Sequence, residues 1–360
     1  MPSLGENLAK LKSTLLKRLT PEEVDVLTSS DSLSMDHANV MRENVISLLH
    51  VPLGFVDELE VNGRTFIVPL AIEQRGVVEM VRRGSNLVTG CGGFTAESTE
   101  QIMIGQIQVV GVDDVEEAIR RIASERSNLL LEANTVSSRR RAVDLTARIL
   151  DTEAGPMLIA EINVDVKDSM GVNIVNSMCE AISLAIEEIT GGRVNIAVLT
   201  NLSSRRMVRV QTRIPSGRIS DEVIKGIVNA SAFAEADPYR AVTHNKGIMN
   251  GVSAVLLATG NDTRAVEAGA HAYASLSGVY RPLSTWVRGA DGGLVGGLEM
   301  PLSVGTVGGV VDAHPVARIN LKLLGVESAA ELQQIVASVG LAANLGALYT
   351  LVTEGVMSIQ

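Results

Sequence analysis

Apolar and polar positions recur along this chain with two periods, and the switches between them mark its organisation. Residues 4–30 show helical spacing in short pieces, and Thr20-Pro21-Glu22-Glu23 is a helix start. Residues 35–49 also carry apolar side chains at helical spacing, ended by Pro52-Leu53-Gly54. Period-two alternation over 56–69, centred on Asn62-Gly63, predicts a β-hairpin, and 76–86 predicts a helix packed behind it. Strands follow at 106–112, 148–150, 157–166, 193–200 and 207–214. Helices are predicted at 115–134 and 171–190. That block predicts a compact α/β domain at 110–216, inserted into a mostly helical larger domain made of 1–109 and 217–360. Beyond it come a helix to about Ala236, a helix at 265–276, a strand at 296–300, a glycine-rich turn at 304–309 and an alanine- and leucine-rich helix at 329–354.

One stretch, 237–262, breaks the aliphatic character of its surroundings. It gathers Arg240, His244, Asn245, Lys246, Asn250, Asn261 and Asp262 within 26 residues. Gly247 and Gly251 permit tight backbone, and Gly260-Asn261-Asp262 has the chemistry of a turn that caps a helix near Thr263. A lysine on such a wall can polarise a carbonyl and hold the charge that builds on its oxygen. The alternative is a glycine-rich loop with ordinary surface charges, and spacing alone does not choose between them.

Composition narrows the picture. Hydrophobic residues make up 46% but aromatics only 2%, so the core must be aliphatic. A length of 360 residues fits two domains, or one large domain with an insertion. The net charge of −10, with no long basic run, argues against nucleic acid and acidic membrane as partners. Arg139, Arg140 and Arg141 form the one compact basic cluster. Cys91 and Cys179, without a CxxC, argue against a disulfide framework or metal site and are expected to be small buried residues. Trp286 and Tyr239 fit core or interface positions. No signal peptide and no apolar run of membrane-spanning length stand out, so a soluble cytoplasmic protein is expected.

Several segments, in order, carry a resemblance. They are Glu43-Asn44-Val45-Ile46, Val68-Pro69-Leu70, Asp168-Ser169-Met170-Gly171-Val172-Asn173, 237–251, 258–262 and 304–309. Over nearly its whole length the chain resembles the class II, soluble bacterial form of the 3-hydroxy-3-methylglutaryl-CoA (HMG-CoA) reductase family. The resemblance implies an oxidoreductase of mevalonate and isoprenoid metabolism that reduces a thioester to an alcohol with two hydrides. It implies a homodimer or larger homo-oligomer with interfacial active sites, the Glu43–Ile46 segment lying at the interface. The small domain would bind the nicotinamide cofactor and the large domain the acyl-CoA. By position Lys246 corresponds to the catalytic lysine and Asp262 to the aspartate that tunes it. Arg240 and Asn250 match residues that hold the acyl part, with His244 and Gly76 beside them. Asn201 falls near cofactor and substrate. Asp168, Met170, Gly171 and Asn173 precede or open a helix and suit cofactor contact, as do Gly305 and Gly308.

The chain departs from the family in three places. The family's Glu-Glu pair is Glu73-Gln74 here, with the amide at the catalytic position, and Arg75-Gly76 replaces Pro-Ser. An amide cannot pass a proton as a carboxylic acid does, and Glu73 could substitute only if the backbone turned. The family's C-terminal flap domain supplies a histidine that protonates the departing thiolate. This chain ends where that flap would begin, with His37, His50, His244, His271 and His314 all upstream. Finally, Ser137 falls where class II members place an aspartate on the ribose of NAD, with Ser138 and Arg139 to Arg141 following. Losing a carboxylate and gaining arginines favours NADPH over NADH, while a solvated helix end is the bland alternative. The expected function is therefore an NAD(P)H-dependent oxidoreductase with altered chemistry. The alternatives are an ordinary HMG-CoA reductase making mevalonate and a non-catalytic binding or scaffold homologue.

Overall fold

The structure, a computed structural model, describes residues 12–29 and 32–355. Of the helices expected at 4–30, the part before residue 12 lies outside the described residues. The chain divides into a large unit, Met1–Ser98 with Val208–Gln360, and a small unit, Thr99–Met207.

The large unit opens with helix α1 (Pro21–Thr28), where Thr20 and Glu23 form a capping box, and helix α2 (Met35–Met41). Strands β1 (Leu53–Val61) and β2 (Arg64–Ala71) make the expected hairpin. Asn62 and Gly63 turn it with φ of 50° and 74°. Helix α3 (Val77–Val88) and strand β3 (Phe94–Ser98) follow. After the small unit come β8 (Met207–Ile214), α7 (Asp221–Ala236), α8 (Pro238–Ala258), α9 (Thr263–Ala274), β9 (Ser284–Arg288) and β10 (Leu294–Pro301). The unit ends with α10 (Val310–Ala313), α11 (Pro315–Leu324) and α12 (Ala329–Thr353). One six-stranded sheet, in the order β2-β1-β3-β8-β10-β9, carries these helices.

The small unit holds β4 (Ile102–Val110), α4 (Val115–Ala133), β5 (Arg141–Leu150), β6 (Met157–Asp165), α5 (Val172–Ala181), α6 (Ser183–Thr190) and β7 (Arg193–Leu199). Its antiparallel sheet has the order β5-β6-β4-β7. Aliphatic side chains such as Ile107, Ile122, Leu158, Ile162 and Val175 fill its core. The mixed α/β class with an inserted smaller unit is thus as expected.

Sheet pairing corrects the domain boundaries. Strand β4 pairs with β6 and β7, so the insertion begins near residue 99 rather than 110. Strand β8 pairs with β3, so it belongs to the large sheet and the insertion ends near 207 rather than 216. Local periodicity marks a strand but not the sheet it joins.

Two helix expectations also change. Helix α2 stops at Met41, and Ile46 and Leu49 are left 94% and 93% exposed. None of the described residues buries their apolar side, and tertiary burial rather than spacing sustains such helices. The helix expected at 171–190 breaks at Ile182, where the Ser183 hydroxyl donates to Cys179 O at 2.8 Å. The glycine-rich loop offered as the alternative for 237–262 fails over most of the stretch, since α8 runs through Gly247 and Gly251 for 21 residues.

Helix α12 is the axis of the large unit. Its 25 residues are long and apolar enough to cross a membrane, against the sequence expectation, but 78% of its apolar window is buried. It packs on α3 and α8 at backbone distance. A Cβ placed on Gly84 would lie 2.0 Å from Ala342 O, and one on Gly346 2.0 Å from Met80 O.

Candidate active site

Helix α8 builds the site. The Asp237 side chain accepts from Tyr239 N at 2.9 Å, and Pro238 sits in the first turn, where no amide donor is lost. At about 100° per residue, Arg240, Thr243, Lys246, Gly247 and Asn250 share an arc of about 120°. The opposite arc holds Ala241, His244, Asn245, Ile248, Met249 and Val252, all buried. Lys246 is exposed, and Arg240 and Asn250 are half-buried. A Cβ on Gly247 would meet nothing within 4 Å, so open space lies beside the lysine.

Lys246 Nζ donates to Gln74 Oε1 at 2.6 Å. Gln74 sits between the end of β2 and Gly76, the left-handed cap (φ 87°) of α3. The amide, not Glu73, therefore meets the lysine. Glu73 is exposed and makes no ion pair among the described residues. A carboxylate here would make an ion pair and could carry a proton, whereas the amide is a neutral acceptor. Arg240 likewise pairs with no carboxylate among the described residues, which suits it to a carboxylate on a ligand.

Two expected residues stand elsewhere. His244 is a core residue, about 160° around the helix from Lys246 and 2% exposed. Its Nε2 lies 2.7 Å from Ser284 Oγ and 3.2 Å from Asn344 Nδ2, and Trp286 Nε1 donates to Asn344 Oδ1 at 2.7 Å. Burial, aided by the charge of Arg240, pushes its pKa down to about 4, so it is neutral near pH 7. Its placement removes it from the expected substrate contacts. The neighbouring Asn245 donates to Arg281 O at 2.9 Å and accepts from Leu283 N at 2.8 Å. His244 and Asn245 together fix the rotation of α8, and with it where Lys246 emerges.

Asp262 is the cap of α9, accepting from Arg264 N at 3.0 Å and Ala265 N at 3.1 Å. It forms no ion pair with Lys246, so the expected lysine–aspartate pairing is not made within this chain. Beside it, Asn261 is buried and accepts from Gly305 N at 2.7 Å, tying the turn to the 304–309 loop. Gly308 is exposed, at φ 89°, and donates to Asp312 Oδ2 at 2.9 Å. Gly305 and Gly308 belong to the large unit, whereas the other expected cofactor residues lie in the small one.

In the small unit, Gly171 (φ 94°) caps α5, and a Cβ there would lie 2.5 Å from Val166 Cγ1. Backbone amides of the first turn, around Asn173, are therefore unobstructed by a side chain at the cap, as a phosphate cradle requires. Asp168 and Met170 lie in the preceding loop, and Asn201 is exposed at the end of β7. The Ser137 hydroxyl accepts from Arg139 N at 3.2 Å and Arg140 N at 3.1 Å, closing a turn that presents the basic cluster. The turn Asn134–Val136 packs on α5. These residues fit a phosphorylated dinucleotide. Cys179 is buried, and burial pushes its thiol up to about 12, while Cys91 is half-buried. No cluster of potential metal ligands occurs among the described residues.

Comparison with known proteins shows the family. Residues 9–358 match the family model described as hydroxymethylglutaryl-coenzyme A reductase. The 3-hydroxy-3-methylglutaryl-coenzyme A reductase of Archaeoglobus fulgidus is 43% identical over 98% of this chain and 82% of its own length. A probable reductase of the same name from Borreliella burgdorferi is 32% identical over 88% of this chain and 74% of its own length. The solved class II reductase of Streptococcus pneumoniae bound to NADPH superposes with a TM-score of 0.94 at 38% identity, covering 98% of both chains. On these grounds the chain belongs to the hydroxymethylglutaryl-coenzyme A reductase family, in its class II branch, and is an oxidoreductase.

Proposed function

We propose that this chain is an NADPH-dependent reductase of a carbonyl or CoA-thioester substrate, with proton handling altered at the family's glutamate position. The observation that carries this reading is the Lys246–Gln74 contact beside open space on α8. When bound, the reduced nicotinamide supplies the hydride. Lys246 then stabilises the alkoxide left on the substrate oxygen and supplies its proton. Gln74 holds the ammonium in place without exchanging a proton. Arg240 and Asn250, on the same arc, hold the acyl end. The cofactor side is the small unit: Asp168, Met170, Gly171 and Asn173 at α5, Asn201 after β7, and Ser137 with Arg139 and Arg140 at the 2′-phosphate. The NADPH of the Streptococcus pneumoniae relative supports that choice. The acyl-CoA side is the large unit.

The names of the relatives favour a second reading, ordinary reduction of HMG-CoA to mevalonate. Rates with NADPH on HMG-CoA and on a 3-hydroxy aldehyde, for the parent and for Gln74→Glu, separate the two. Altered chemistry predicts that the parent reduces the aldehyde faster than the thioester. Gln74→Glu should then raise thioester reduction about a hundredfold, the lower end of general acid catalysis. Unchanged thioester turnover in Gln74→Glu would favour the ordinary reading. A parent that binds neither nucleotide would sink both.

A homo-oligomer is part of the proposal. Ile46, Leu49 and Tyr239 are 94%, 93% and 88% exposed in the single chain, an unusual display for apolar side chains. Sedimentation equilibrium is expected to give a dimer or a multiple of it. A monomer at micromolar concentration would refute this part.

A further inference from the structure

Arg206 is the one arginine among the largest fully buried side chains of the described residues, at 0% exposure. Removing a guanidinium from water is costly, and an apolar residue of similar volume would fill the space without that cost. Its bonds show what the charge is spent on. Nε donates to Gln101 Oε1 at 2.7 Å. Nη1 donates to Ser169 O at 3.2 Å and to Met170 O at 3.3 Å. Those two carbonyls immediately precede Gly171, so they lie ahead of the α5 ladder, whose first bond runs from Val175 N to Gly171 O. Without Arg206 they would lose these buried donors.

The loop that Arg206 grips is constrained on its own account. Lys167 sits at φ 52° and Gly171 at φ 94°, and Ser169 N donates back to Val166 O at 3.2 Å. On its other side Arg206 closes the turn after β7. Its own N–H donates to Ser203 O at 2.9 Å, and Ser203 N donates to Asn201 O at 2.9 Å. The carboxylates of Asp168 and Asp165 favour the charged guanidinium, and burial lowers its pKa only to about 10, so it stays charged near pH 7.

We propose that Arg206 is a positioning residue that ties the Asn201 turn to the 167–171 loop and holds both in the shape that receives the dinucleotide. The inference rests on the small unit being the cofactor side. A guanidinium bonds the Gln101 side chain and the two main-chain carbonyls from two separate nitrogens of a rigid planar fork, whereas an ammonium offers its three donors from a single atom.

The test uses the full-length protein and the variants Arg206→Lys, Gln101→Leu and Ile107→Val. The last trims the small unit's core away from the loop and serves as the stability control. NADPH binding is followed by fluorescence titration, KM for NADPH and for the acyl substrate by steady-state kinetics, and amide exchange of 167–173 without ligand by mass spectrometry. Arg206→Lys is expected to weaken NADPH about tenfold or more, as loosened positioning of a bound ligand does, with KM for the acyl substrate within about twofold. Exchange in 167–173 should speed up. Gln101→Leu should give a smaller effect in the same direction, and it also serves if Arg206→Lys does not fold. Unchanged NADPH binding and loop exchange in both variants would overturn the proposal. So would an equal weakening in Ile107→Val. If the parent binds no nucleotide, the cofactor reading itself fails, and loop exchange alone then decides whether Arg206 is the strut.

Discussion

Replacing Lys246 with alanine is expected to lower turnover about a hundredfold to a thousandfold, the range seen when one preorganised group facing a developing oxyanion is removed. The loss should fall on kcat, because the charge it stabilises exists only in the transition state. NADPH affinity should change little, since the proposed nucleotide residues other than Gly305 and Gly308 lie in the other unit. Stability should move by less than about 0.5 kcal/mol, because Lys246 is exposed and its one hydrogen bond goes to exposed Gln74. Steady-state kinetics with a thermal melt checks this directly. Turnover within a few-fold of the parent would remove Lys246 from the chemistry, and with it the reading of α8 as the catalytic wall.

Gly346→Ala is expected to destabilise the large unit by about 2–3 kcal/mol, although helix propensity alone predicts a gain of about 1 kcal/mol. The new Cβ would lie 2.0 Å from Met80 O and 3.1 Å from Gly84 N. Those are backbone atoms of α3, so no side-chain rotation relieves the overlap and the helices must part. The melting temperature should fall by roughly 4–12 °C. Gly247→Ala is the matched control, because its Cβ would meet nothing within 4 Å. It should hold or raise the melting temperature while crowding the space beside Lys246. A rise in both variants would show that α3 and α12 are not in backbone contact.

The residues of the site were legible before its shape was. Arg240, Lys246 and Asn250 share one arc of α8, yet the segment invited a loop reading because Gly247 and Gly251 interrupt its helical propensity. Those glycines answer different needs. Gly251 lets α8 approach α12, where a Cβ would meet Val339 O at 3.0 Å, and Gly247 leaves room beside the lysine. Gln74, reached by counting without gaps from Asn62-Gly63, is the residue that accepts from Lys246. His244 was misplaced because a one-dimensional cluster of polar residues carries no azimuth. On a helix, two positions from Lys246 is the far side, inside the core. Arg206 was passed over because an arginine following Arg205 looks like surface, and only packing shows it buried.

What the sequence determined by itself was local and chemical. The hairpin at Asn62-Gly63, the helix starts at Thr20 and Asp262, the aliphatic core and the family all follow from residue identity. Tertiary structure decided which sheet β4 and β8 join, that α2 stops at Met41, that Asp262 does not pair with Lys246, and that His244 and Arg206 are buried. The reason is physical. Backbone propensity and capping are set by neighbours a few residues apart, whereas burial, strand partners and ion pairs depend on groups brought together from distant parts of the chain.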